Sequence, residues 1–264
     1  MIITNDNYYS IEANTEYLSV SQYKDFAGTM GQCGCEAMAL AKLRGEWVVE
    51  PTTPMLVGSY VDSYFEGTLD SFKENHPEMF CKTGELKKDF QKAEEIIKRA
   101  EKDNFFMDFM SGDKQVIMTA ELFGAKWKIK IDSYHADKAI VDLKVVKDLH
   151  ERFWVKDFGF TNFIDYWGYD LQGAIYQAVV YKNTGKLLPF FIAGIDKQKE
   201  SDLAIIHVDN QHLKSALTEV ENNVYRIIQL KTGKKEPDRC EKCDYCKATK
   251  KLNKIIHFSE LIEF

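Results

Sequence analysis

Two apolar runs, Trp127–Asp132 and Ala139–Val146, stand close together in the chain with only a short polar turn between them. Short runs rich in β-branched residues and bounded by turn formers read as strands. Alternation along a strand sends successive side chains to opposite faces. In the second run Ile140, Asp142 and Lys144 therefore share one face, and Val141, Leu143 and Val145 the other. In the first, Lys128, Lys130 and Asp132 lie opposite Trp127, Ile129 and Ile131. Antiparallel pairing through the turn Ser133–Lys138 brings both aspartates and the lysine to one patch.

Carboxylate oxygens gathered in this way suit Mg²⁺ or Mn²⁺, which keep several waters and take one or two protein carboxylates plus substrate phosphate. A lysine beside them can orient or deprotonate a water and offset charge in the transition state. The same residues also read as a turn aspartate followed by a solvated strand face, so helices elsewhere must decide.

Asn162 to Tyr181 reads as one long helix, with Phe163, Tyr166, Trp167, Tyr169, Ile175, Val179 and Val180 at mostly helical spacings. Within it, Gln172 and Tyr176 are one turn apart on one face. Met55–Thr68 also reads as helix, with Asp62 and Glu66 sharing a face. Further helices are expected near Ser19 or Ser21 as N-cap, at Leu86–Lys102, Asn104–Met110 and Gln211–Leu230, after an N-terminal strand or arm over Met1–Ala13. Strands are expected at Gln115–Phe123, Ala125–Asp132, Ala139–Val146, Leu187–Ile195 and Leu203–Val208. That order is α+β or α/β, a central mixed sheet of about five strands flanked by helices.

Cys240-Glu-Lys-Cys243-Asp-Tyr-Cys246 packs three of the six cysteines into one short stretch. Three thiolates need a fourth ligand to close a tetrahedral metal site or a cubane cluster. Cys35 is the candidate, with Cys33 or His257 as substitutes and Cys81 as a plain thiol. Reduced thiols with no metal are the plainer alternative.

With 264 residues, 45% of them apolar and 13% aromatic, the chain can bury a full core without disulfides. Only five prolines occur and no Gly/Ser linker interrupts it, so one domain spanning 1–264 is expected: a helical part over about 15–112, a core over about 113–230 and a Cys-rich tail over about 231–264. No run reaches the ~18 apolar residues of a membrane span and no leader is evident, which makes the cytoplasm the default location. The net charge of −6 is unusual for a binder of nucleic acid. Local basic groups nevertheless exist at Lys126, Lys128 and Lys130, at Lys231, Lys234, Lys235 and Arg239, and at Lys247, Lys250, Lys251 and Lys254, where they read as solvated faces or as phosphate contacts.

Taken in order, Gly58-x-x-x-Asp62, Asp132, Asp142-Leu-Lys144 and Gln172-x-x-x-Tyr176 resemble the PD-(D/E)xK nuclease superfamily, in the branch of RecB-type and phage RecE- and lambda-type exonucleases. The resemblance runs from Leu18-Ser-Val-Ser-Gln-Tyr23 to the Cys-rich tail. RecB-like members usually carry His where Asp62 stands, and lambda-type members Glu; an Asp can still ligate a hard cation. The resemblance implies a Mg²⁺- or Mn²⁺-dependent deoxyribonuclease. In it Asp132 and Asp142 hold the ion with the Leu143 carbonyl, and Asp62 completes the shell or binds a second ion. Lys144 positions water, Gln172 and Tyr176 brace the site or touch phosphate, and Glu66 and Glu121 stand behind them. It also implies action on linear DNA ends, a homo-oligomer, a single-strand-annealing partner and a role in phage-type recombination. Helicase–nucleases and CRISPR adaptation nucleases in the same branch hold a [4Fe–4S] cluster with one cysteine before the core and three after it, the distribution seen here; the tight tail spacing keeps Zn²⁺ open as well. A non-catalytic DNA-binding module, or a scaffold subunit of a helicase–nuclease, is the competing reading.

Overall fold

The alternating runs become a five-stranded mixed sheet in the computed structural model, which describes residues 1–261. Its strands are β1 (Asp113–Leu122), β2 (Ala125–His135), β3 (Ala139–Val146), β6 (Phe190–Asp196) and β7 (Leu203–Val208); β4 (Phe153–Val155) and β5 (Gly159–Thr161) form a separate hairpin. The order is β1-β2-β3-β6-β7, and every neighbouring pair is antiparallel except β3 with β6. A parallel pair needs a long crossover, and α8 (Phe163–Tyr166) and α9 (Tyr169–Thr184) supply it. The other helices are α1 (Ile11–Glu16), α2 (Val20–Ala27), α3 (Glu36–Leu43), α4 (Thr53–Glu66), α5 (Leu69–Asn75), α6 (Lys88–Glu101), α7 (Asn104–Phe109), α10 (Asn210–Lys231) and α11 (Asp244–Ala248).

Each side of the sheet buries its own core. Trp127, Ile129, Ile131, Phe190 and Ile192 pack with Ile175 and Val179 of α9 and Val224 and Ile227 of α10. Val141, Leu143, Ala193 and Ile195 pack with Val61 and Phe65 of α4 and Phe90 and Ile96 of α6. Ile129, Ile131, Ile140 and Ile192 are fully buried, each contributing roughly 1.5–3 kcal/mol of transfer free energy. Thus α4 and α9, which carry the polar residues singled out above, come from opposite layers.

The hairpin joining β2 to β3 is short-lived as a ladder. Only Ser133, Tyr134 and His135 pair with Val141, Ile140 and Ala139, so the turn is tighter than Ser133–Lys138. Below Ser133 the two strands part, and the freed edge of β2 bonds the chain at Leu18 instead: Leu18 N–H donates to the Lys126 carbonyl at 2.7 Å and Lys128 N–H to the Leu18 carbonyl at 2.9 Å. The sheet opens where Asp132 faces Asp142.

Several local expectations change. The single helix over 162–181 is broken at Gly168, which takes a left-handed conformation (φ 64°); a Cβ there would lie 2.8 Å from Thr29 Cγ2. Phe163 of α8 packs with Val146 and Leu149, whereas Leu171, Ile175 and Val179 of α9 pack in the main core. No strand forms over Met1–Ala13; turns lead directly into α1. Of the two candidate caps, Ser19 caps α2, accepting from Gln22 N–H at 3.4 Å. The strand expected from Leu187 starts at Phe190, after Pro189. Among the described residues no helix is long and apolar enough to cross a membrane.

Candidate active site

Asp132 sits at the point of separation. Its Oδ2 accepts a hydrogen bond from Leu143 N–H at 2.8 Å, so a side chain replaces the missing rung between β2 and β3. N–H and C=O of one residue point the same way from an extended strand, which leaves the Leu143 carbonyl facing the same gap. Asp142 is 1% exposed. Gln172 Nε2 reaches down from α9 to Asp142 Oδ1 at 2.5 Å. Lys144 Nζ forms an ion pair with Asp142 Oδ2, but that oxygen accepts no well-directed hydrogen bond. From the opposite layer, Asp62 and Glu66 of α4 line the same cleft, about 510 Å³ in volume, a size ordinary for a ligand site.

The electrostatics follow from crowding acids in a poorly hydrated place. Burial, then the charge of Asp142, lifts the Asp132 carboxyl to about 7. Burial and the neighbouring Asp132, Asp142 and Glu66 push Asp62 well above the usual carboxylate range. Burial works against the charge on Lys144, but Asp142, Tyr169 and Asp132 outweigh it and hold the ammonium above its ordinary pKa. Asp62, Glu66, Asp132 and Asp142 thus crowd together near the Lys144 ammonium, and the raised Asp132 and Asp62 carboxyls mark a place where a further positive charge among these acids is favourable. A hard divalent cation fits that place and that donor set.

The structure therefore brings Asp62, Asp132, Asp142, Lys144 and Gln172 together, with Leu143 beside them. Asp142 and Lys144 do not form a solvated strand face, because α9 and Tyr169 close over them: the Lys144 ammonium lies 4.9 Å from the Tyr169 ring centre. Tyr176 lines the cleft and is buried, and its hydroxyl donates to the Lys130 carbonyl at 2.9 Å, which ties α9 to β2. Glu121 is exposed at the far end of the β1–β2 hairpin, paired with Lys126 in register, and takes no part in the site.

Two of the basic groups also have structural work. Lys128 is 1% exposed and its ammonium donates to the Tyr8 carbonyl and to Asn14 Oδ1, the latter at 2.7 Å. Lys231 donates to the carbonyls of Asn14 and Tyr17, both at 2.8 Å. Lys126 pairs with Glu16 outside the cleft.

Sequence reasoning missed Gln115 and Lys24 in the cleft and the role of Tyr169 beside it. Gln115 lies opposite Asp132 in the β1–β2 register, but the pair is absent from the ladder and Gln115 adopts φ 52°, sparse for a residue with a Cβ. Its Nε2 is 3.4 Å from Asp132 Oδ1, and its Oε1 is buried without a partner. Lys24 of α2 also lines the cleft; burial, then Lys144, lowers its pKa to about 7 against the pull of Asp142 and Asp170. Tyr169 lies between the two lysines, its ring 5.0 Å from the Lys24 ammonium. No local spacing marks Gln115 or Lys24; only the register and the packing of α2 do.

A second cluster lies away from the cleft. Cys35, at the N-cap of α3, meets Cys240, Cys243 and Cys246, the sulfurs all within 4.8 Å of one another. Cys35 and Cys246 approach to 3.5 Å although 211 residues separate them. Backbone N–H groups point at the sulfurs: Met38 to Cys35, Lys242 and Cys243 to Cys240, and Cys246 to Cys243, at 3.3–3.5 Å. Burial opposes ionisation of Cys240, yet the two N–H bonds together with the neighbouring thiols of Cys243 and Cys35 bring its pKa down to about 6. Cys33, Cys81 and His257 are exposed and lie outside this cluster.

Comparison with known proteins agrees with this geometry. Residues 19–249 match the family described as "PDDEXK-like domain of unknown function (DUF3799)". A crystal structure of a protein from Eubacterium rectale described as "Putative exonuclease" superposes with a TM-score of 0.97 at 58% sequence identity, covering 99% of this chain and 98% of that one. No curated protein matches the sequence. With its sheet opened between β2 and β3 over two aspartates and a lysine, the chain belongs to the PDDEXK-like family.

Proposed function

We propose that this protein is a Mg²⁺- or Mn²⁺-dependent deoxyribonuclease acting on the ends of linear DNA. The observation that carries the reading is the convergence of Asp132, Asp142 and Lys144 at the parted strands, with Asp62 and Glu66 facing them from α4. The name given to the Eubacterium rectale relative supports exonuclease action in particular.

In this reading Asp132 and Asp142 hold the divalent ion, the Leu143 carbonyl adds a ligand, and Asp62 completes the shell or serves a second ion. When bound, the ion supplies Lewis-acid polarisation of the phosphate and a lowered pKa for its water. Lys144, kept as an ammonium by Asp142, orients the water and offsets charge on the phosphoryl oxygens. Gln172 fixes the Asp142 carboxylate, and Tyr176 fixes the backbone of β2. Glu66 sits one turn from Asp62 and adds negative charge without a direct ligand role. The resemblance to RecE- and lambda-type enzymes adds a homo-oligomer, a strand-annealing partner and a recombination role as further expectations.

The four cysteines fit one tetrahedral ion. A Zn–S distance of about 2.3 Å sets tetrahedral edges of about 3.8 Å, and the sulfur separations of 3.5 and 3.9 Å lie near that edge. A cubane places metal and sulfide between its thiolates and holds them further apart. The donor set thus favours Zn²⁺ over [4Fe–4S], acting as a clasp between the two ends of the chain.

End-labelled linear and covalently closed circular DNA, incubated with Mg²⁺, Mn²⁺ or EDTA, tests the reading. Loss of label from the linear form alone, abolished by EDTA, is the expected result. Metal-independent cleavage, or none under any ion, would overturn it.

A further inference from the structure

One part of the molecule is not needed to build the site, yet is joined to it. The β4–β5 hairpin pairs only Phe153–Val155 with Gly159–Thr161 and belongs to no larger sheet. A lone two-stranded hairpin is marginal by itself, and this one spends its large side chains facing outward. Trp154, Phe158 and Phe160 are 66%, 61% and 58% exposed. Trp154 and Phe160 are cross-strand partners whose rings meet edge-on at 5.2 Å. The Arg152 guanidinium lies 4.6 Å from the Phe160 ring centre, and Lys156 is exposed at the turn.

The inner side explains how the hairpin is held. Phe153 stacks on Tyr166 at 4.1 Å with ring planes 19° apart, and meets Trp167 at 6.1 Å. Trp167 in turn receives the Lys24 ammonium on its carbonyl at 2.9 Å, and Tyr169, two residues on, lies against Lys24 and Lys144. The inner face of the hairpin is therefore anchored on Tyr166 and Trp167, and the Trp167 carbonyl holds Lys24, which lines the cleft that also holds Asp142.

We propose that the β4–β5 hairpin is a stacking platform for unpaired bases of the DNA strand whose backbone enters the cleft. This rests on the nuclease reading above. Three observations point to that occupant. Flat exposed rings accept any base face, without sequence preference. Arg152 and Lys156 supply positive charge for the accompanying phosphates, in a chain that is acidic overall. The hairpin is also anchored beside the cleft through Trp167 and Lys24, and a duplex or a second protein surface would need a broader face than two three-residue strands offer. Trp154 is the central residue, because its ring is the most exposed of the three.

The test uses the full chain, with circular dichroism to confirm folding of each variant. Binding of a fluorescent single-stranded oligonucleotide is measured in Ca²⁺ by anisotropy, and cleavage of the same oligonucleotide in Mn²⁺. Trp154→Ala and Phe160→Ala are each expected to weaken binding about tenfold and to raise KM while leaving kcat nearly unchanged; Trp154→Phe should retain most of the affinity. Unchanged affinity in Trp154→Ala would overturn the platform. So would a shift in oligomeric state on size exclusion in Trp154→Ala, since a second copy of the chain would then be what covers the face. Wild-type protein that binds the oligonucleotide through Trp154 but never cleaves it would contradict the nuclease reading and leave the platform standing.

Discussion

Asp132 accepts the Leu143 N–H at 2.8 Å across the gap where β2 and β3 part company. One carboxylate thereby both satisfies a backbone donor stranded by the splay and turns its second oxygen toward the cleft. An unpaired buried N–H costs about as much as a lost hydrogen bond, so the site geometry and the stability of the sheet depend on the same residue.

Asp132→Asn separates the two roles. The amide oxygen can still accept from Leu143, whereas the neutral group is a poor ligand for a hard ion. The expected outcome is a melting temperature in EDTA equal to or above wild type, because a crowded buried acid is gone, together with loss of Mn²⁺ binding by calorimetry. A variant that melts well below wild type and binds Mn²⁺ normally would assign Asp132 to structure alone.

The raised pKa of Asp132 makes metal binding a competition with a proton. Between its unfolded value of 3.8 and the folded value of about 7, the folded chain keeps a proton that the unfolded chain releases. Stability of the metal-free protein should therefore fall as pH rises through that window. Metal affinity should move oppositely, rising up to roughly tenfold per pH unit below about pH 7 for one displaced proton. Calorimetric titrations with Mn²⁺ at pH 6 and pH 8 check this, and equal affinities would contradict it.

Tyr176→Phe distinguishes bracing from phosphate contact. Removing the hydroxyl strands the Lys130 carbonyl and should cost about 1–3 kcal/mol of stability, read by urea denaturation. Metal affinity and the KM for DNA should change little. A large rise in KM with stability intact would show that the hydroxyl reaches substrate.

Cys243→Ser should lower thermal stability and solubility far more than it alters metal binding at Asp142, since the clasp ties residues 211 apart in the chain. Elemental analysis should find zinc near one equivalent per chain, and the protein should be colourless. Brown protein with iron and labile sulfide would favour the cubane.

Much of the sheet and the centre of the cleft could be read from sequence because Asp132, Asp142 and Lys144 lie on two adjacent strands whose period of two is plain. Gln172 and Asp62 followed from helical spacing and from resemblance. Gln115 and Lys24 were not legible: the first depends on the β1–β2 register, the second on how α2 packs against α9. Lys128 looked like an exposed strand residue because its partners, Tyr8 and Asn14, lie more than a hundred residues earlier in the chain. The β4–β5 hairpin escaped notice because three-residue strands are too short to display a period.

The central claim is that Lys144 and the two aspartates perform metal-dependent cleavage of DNA. The most direct measurement is release of acid-soluble nucleotide from linear duplex DNA in Mn²⁺ by wild type, Lys144→Ala and Asp142→Asn, purified in parallel and matched for folding by circular dichroism. Wild type should release nucleotide steadily, EDTA should stop it, and both variants should fall by at least about a hundredfold, the scale expected when positioned charge or acid–base assistance is removed. Variants as active as wild type would contradict the claim.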